Sequence, residues 1–226
     1  MKFSITASNL ALGIQNTCIA LISGVSPDAK DPTKLDCLCE EAFATIMQAD
    51  LAKLEAHPYV EEFRAIYRRL GYNPKRLALP AYSFFRLVQK RQVFPRISAA
   101  VDAYNCAVAH HFIAIGAHDA DSIVGDVRFM QATGSEPFLP VGSDSPMPVK
   151  PGDFLYRDDS RVLALLASRD CDEAKLTQET RNILLVSEAN TSVTAEVVRT
   201  AVTEACENIV RVCGGSYELK ELEQMP

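Results

Sequence analysis

The feature that most constrains this chain is a change of texture at Phe112. Before it, apolar residues recur mostly at helical spacing. After it come short β-like runs, FIAIGA, DVRFMQA, DFLYRD, RVLALLA and RNILLVSE, separated by Gly, Pro and Asp. Helices grouped first, strands after and one closing helix describe an α+β architecture, not the strict alternation of a doubly wound fold. We therefore expect a single domain over residues 1–226, with a mixed β-sheet flanked by helices. The 226 residues and 48% hydrophobic content suffice for one large core.

Local signals place the elements. Residues 12–25 read as a strand ending at Gly24, Ser26 and Pro27. A helix is expected from Leu35 to Leu54 with Thr33 as N-cap, a second from Pro58 to Gly71, a third from Pro80 and a fourth from Ser98 to His110. Thr194 caps a long amphipathic helix that stops at Gly214-Gly215. The Gly-, Ser- and Pro-rich stretch from Thr133 to Pro151 is long for a connection, and such a loop commonly rims a site.

No apolar run reaches the roughly 18 to 20 residues of a membrane span. The segment after Met1-Lys2 is interrupted by Asn9, Gln15 and Asn16, so a cytoplasmic location is expected. Seven cysteines, an odd number with no secretory signal, point to reduced thiols. Neither their spacing nor the His110, His111, His118, Asp119, Asp121 group forms a recognised metal pattern; adjacent histidines on one helix or strand are not expected to share a site. Phosphate-loop, dinucleotide, nucleophile-elbow and zinc-helix signatures are absent, and no cofactor is implied.

Charge is laid unevenly along the chain. Nine basic residues, Arg64, Arg68, Arg69, Lys75, Arg76, Arg86, Lys90, Arg91 and Arg96, lie between Phe63 and Val101 with no Asp or Glu among them. The remainder carries 14 basic and 29 acidic side chains. Two readings stand at this point: a face for a polyanion such as RNA, or a solvated surface paired to acidic neighbours from elsewhere.

Val101-Asp102-Ala103-Tyr104-Asn105, followed fourteen positions after Asn105 by Asp119, then Asp121 to Arg128, Pro151 to Asp158, and Thr180-Arg181-Asn182-Ile183, resembles the B3/B4 domain of the phenylalanyl-tRNA synthetase β chain. The likeness is strongest over residues 58–190 and closer to free-standing B3/B4 proteins. It implies that fold and a tRNA or aminoacyl-tRNA partner. It also implies an editing function, the hydrolysis of amino acids wrongly esterified to tRNA. The alternatives are a non-catalytic RNA-binding module or a pocket for a free amino acid or similar metabolite.

Carried over by residue, the resemblance makes Asn105 the expected catalytic group, orienting water or the substrate amine. Gly116 stands where the synthetase domain has a pocket histidine, and His118, two residues on, is expected to take that role. Gly116, Asp119, Arg169 and Glu188 are the expected substrate-binding residues. Arg64, Arg68, Arg69, Lys75, Arg76, Arg86, Lys90 and Arg91 are the expected RNA contacts. Because the synthetase's tyrosine-reading Glu aligns near Val186 while Glu188 lies two residues on, the acyl group is expected to differ from tyrosine.

Overall fold

The computed structural model describes residues 1–225. Its first half holds β1 (Phe3–Thr6), α1 (Ala7–Leu12), β2 (Ile14–Ser23), α2 (Pro32–Gln48), α3 (Leu51–Glu55), α4 (Pro58–Arg69), α5 (Pro80–Arg91) and α6 (Ala99–His111). The strands β3 (Gly116–Asp119), β4 (Val127–Gln131), β5 (Pro137–Phe138), β6 (Met147–Pro148), β7 (Phe154–Arg157), β8 (Val162–Leu165), β9 (Arg169–Asp170) and β10 (Asn182–Asn190) follow. The long helix α7 (Ala195–Cys213) and the strands β11 (Ser216–Lys220) and β12 (Glu223–Met225) close the described chain. No described helix is long and apolar enough to cross a membrane.

The α+β class holds, but the strands divide between two principal sheets instead of forming one. A six-stranded sheet has the order β12-β1-β4-β7-β8-β9 and a four-stranded sheet the order β11-β2-β10-β3; β5 and β6 form a separate small hairpin. The division follows from which residues each strand must bury. On β10, Leu184 and Val186 face the six-stranded sheet, whereas Ile183 and Leu185 face α2, α6 and α7. Burial on both faces explains the near-continuous apolar run ILLV, which alternation alone does not resolve. The helix α4 supplies Tyr59, Phe63 and Tyr67 to the layer between the sheets.

Several boundaries differ from expectation. The helix expected over 35–54 breaks at Ala49, whose backbone is extended; Asp31 caps α2 and Asp50 caps the separate α3. Within FIAIGA only Gly116 onward pairs, because Phe112 ends α6 in the left-handed conformation. The strands β1, β11 and β12 and the helix α1 were not expected. Ser98 and Thr194 cap α6 and α7 as anticipated.

Candidate functional site

The register of the two sheets builds a cavity between them. Across the six-stranded sheet Phe129 pairs with Tyr156, Tyr156 with Ala164 and Ala164 with Asp170, so these four share one face. Across the other sheet Val186 pairs with Gly116, and Glu188 lies two residues further along the same face of β10. Between the rows is a cavity of about 100 Å³ whose walls include Gly116, Tyr156, Ala164, Ser168, Asp170, Val186 and Glu188. It adjoins a wider groove of about 430 Å³ lined by Val101, Tyr104, Pro140, Val141, Arg169 and Lys175; Ser168 and Asp170 line both. The long Thr133–Pro151 segment thus does form a rim, through Pro140 and Val141.

Gly116 is a matter of space. A Cβ there would stand 3.3 Å from Asp170 Oδ1 and 3.4 Å from the Tyr156 hydroxyl. The turn between β8 and β9 shapes the adjoining wall. Leu166 and Ala167 have φ of 59° and 43°, a left-handed pair that normally calls for Gly or Asn. The Ser168 amide donates to Leu165 O, and the Tyr67 hydroxyl donates to Leu166 O at 3.0 Å, which holds the turn against the core.

The electrostatics are acidic inside and basic at the mouth. Among the described residues no Lys, Arg or His lines the inner cavity, whereas Arg169 and Lys175 line the groove. Glu188 is 5% exposed, and its Oε1 has no hydrogen-bond partner. Burial raises its carboxyl to about 8, with a further push from the Asp170 charge. Asp170 stands at the junction, 43% of its side chain open, yet crowding by protein atoms raises it to about 6. At neutral pH the pair therefore holds close to one negative charge, centred on Asp170.

Of the residues expected to bind substrate, Gly116 and Glu188 line the cavity and Arg169 lines the groove. Asp119 does not: it accepts from the Asp121 amide and from the Thr180 hydroxyl, tying β3 to the segment before β10. His118 is fully buried and stands behind Tyr156, with Nε2 2.6 Å from that hydroxyl. Desolvation lowers its pKa to about 4, so the ring is neutral at neutral pH, and the same Nε2 lies 3.9 Å from Asp170 Oδ1 at the cavity wall. Asn105 lies half-buried on α6 and lines neither space; its neighbours Val101 and Tyr104 do. Of the expected grouping of Asn105, Gly116 and His118, only Gly116 lines the cavity. Asp102 is structural, accepting from Arg96 Nε and the Ile97 amide.

Sequence reasoning missed Asp170 and Tyr156. Both lie in strands too short or too uniformly apolar to reveal which residues face inward. It also misjudged the adjacent histidines. His110 Nδ1 and His111 Nε2 each lie 2.6 Å from a different oxygen of Glu204 on α7, made feasible by the end of α6 immediately after His111.

The basic segment is partly neutralised. Arg64 pairs with Glu55 and Glu61, and Arg96 with Asp36 and Asp102. Arg69 donates to Leu12 O, and Arg86 lies over the Tyr82 ring. Arg68, Lys75, Arg76, Lys90 and Arg91 are exposed and have no carboxylate within ion-pair distance among the described residues. One residue of the segment, Pro80 at the start of α5, is part of the cavity wall.

Two comparisons bear on this arrangement. The B3/4 domain model matches residues 63–214. Among solved structures, an N-terminal fragment of the phenylalanyl-tRNA synthetase β-subunit from Pyrococcus horikoshii is similar in fold, with a TM-score of 0.56 at 13% identity. The match covers 99% of this chain and 52% of that one, so the chain spans about half the length of that fragment. No curated protein matches.

Proposed function

The chain belongs to the B3/4 domain family, and from that membership and the charge layout of the cavity we propose that it hydrolyses amino acids wrongly esterified to tRNA. The observation that carries this reading is the position of Asp170, a carboxylate common to the inner cavity and the groove. An acyl group in the cavity with the terminal nucleoside in the groove brings the scissile ester to that junction. Arg169 suits the phosphate that follows, Lys175 being paired with Asp172, and Lys75, Arg76, Lys90 and Arg91 suit phosphates further out.

In this mechanism the water oxygen adds to the ester carbonyl carbon while one of its protons passes to the Asp170 carboxylate. The bond from the acyl carbon to the ribose oxygen then breaks, and the proton returns to that oxygen. A base with a pKa near ambient pH is effective in such a transfer. An ester is activated enough to need no enzymic nucleophile, so positioning and one base are sufficient machinery. His118 acts as a positioning residue, fixing the Tyr156 hydroxyl that borders the reacting group.

A deacylation screen against tRNAs charged with different amino acids tests the proposal. At least one ester disappears faster than in buffer if the reading is right. Binding of tRNA with no acceleration for any ester would instead assign the chain to a non-catalytic binding module.

A further inference from the structure

The cavity also constrains the acyl group. We infer that it admits a small amino acid carrying a side-chain hydroxyl, of serine or threonine size, and that Glu188 reads that hydroxyl. This inference rests on the proposed function for its chemistry and on cavity size and an unpartnered carboxylate for its selectivity.

Size comes first. An enclosed apolar cavity of about 150 Å³ accommodates a benzene ring. At about 100 Å³ the present cavity is smaller, with walls from both sheets, the start of α5 and the turn between β8 and β9, and it opens into the groove at Ser168 and Asp170. A volume of this size suits a two- or three-carbon side chain and is small for a phenyl or phenol ring.

Polarity comes second. Glu188 Oε1 is buried without a partner, and so is Oγ1 of Thr17, which sits directly opposite Glu188 in the β2–β10 register. Of the two, Glu188 lines the cavity, and its uncompensated buried oxygen carries a desolvation cost that a ligand hydroxyl would offset. A hydroxyl can donate to one carboxyl oxygen and accept from a protonated one, so it satisfies Glu188 in either protonation state. A purely aliphatic side chain such as valine leaves Glu188 Oε1 unpaired.

Threonine and valine provide the test, since they share a shape and differ by the hydroxyl. Initial rates on threonyl-, seryl-, valyl-, alanyl- and tyrosyl-tRNA are measured with the intact chain and with Glu188→Gln and Glu188→Leu. The expected result is a kcat/KM for threonyl over valyl ester of about 10² or more, since sites built around a substrate hydroxyl discriminate strongly against its absence. Tyrosyl ester should not exceed the buffer rate. Glu188→Gln should keep part of the preference and Glu188→Leu should erase it. Equal rates on threonyl and valyl esters, or a preference for tyrosyl ester, would overturn the inference.

If no ester is hydrolysed, the hydrolase reading fails separately, and selectivity is read from binding of non-hydrolysable 3′-amide analogues of threonyl- and valyl-adenosine. A threonyl preference that disappears in Glu188→Leu supports the inference. Equal binding, or none, overturns it.

Discussion

Glu188 and Asp170 face one cavity from two different sheets, and the charge on Asp170 helps hold the Glu188 carboxyl in its protonated form. Both pKa values are raised relative to an unfolded chain, mainly by desolvation, so the folded state binds more protons than the unfolded state between about pH 4.5 and about pH 8. The contribution of Glu188 to stability is therefore fully present below pH 4.5 and is lost as pH rises through 8. Thermal melts of the wild-type chain and of Glu188→Gln, compared from pH 5 to pH 9, should show the variant gaining relative to wild type as pH increases. A constant difference across that range would contradict the assignment.

Gly116 keeps the cavity open, since any Cβ there approaches both Asp170 and Tyr156. Gly116→Ala should fold normally, because this glycine does not need a positive φ. Ester hydrolysis should fall about 10- to 200-fold, the usual effect of one carbon in a fitted pocket. Unchanged kcat/KM with unchanged stability would place the acyl group elsewhere.

The basic segment divides into paired and unpaired cations. Replacing Arg68, Arg76 and Lys90 together by Gln should weaken tRNA binding and reduce its dependence on log salt by about 2 to 3 units, if each meets one phosphate. Arg64→Gln should leave that slope unaltered, since Arg64 is already neutralised by Glu55 and Glu61. Equal slopes in the triple variant and wild type would remove this surface from the binding account.

The left-handed pair Leu166-Ala167 stores backbone strain beside the cavity. Ala167→Gly should raise stability by about 1 kcal/mol, or about 2 to 4 °C in Tm for a chain of this length. If Gly loosens the turn that carries Ser168, Tm rises while activity falls. A lower Tm would show that the turn is not strained.

Capping and periodicity made α4, α6 and α7 readable, because Pro58, Ser98 and Thr194 mark their starts in one-dimensional sequence. Gly116 was singled out by its place in a resembling motif and Glu188 by lying two residues beyond one, and both line the cavity. The two-sheet division was not, because it depends on which strands pair across more than a hundred residues, as β1 does with β4 and β12. Asp170 was hidden for the same reason. It occupies a two-residue strand, and only its alignment with Ala164 and Tyr156 turns it toward Glu188. The choice between the two readings of the basic segment was not legible, since Glu55 and Asp36, which neutralise Arg64 and Arg96, lie outside it.

The pH dependence of single-turnover deacylation by wild type and Asp170→Asn tests the central claim most directly. The account predicts a wild-type rate that rises with pH through about 6. It predicts a loss of about 10² or more in the variant, as general-base removal commonly gives, with tRNA affinity unchanged. An Asp170→Asn chain that hydrolyses the ester at the wild-type rate and with the same pH profile would contradict it.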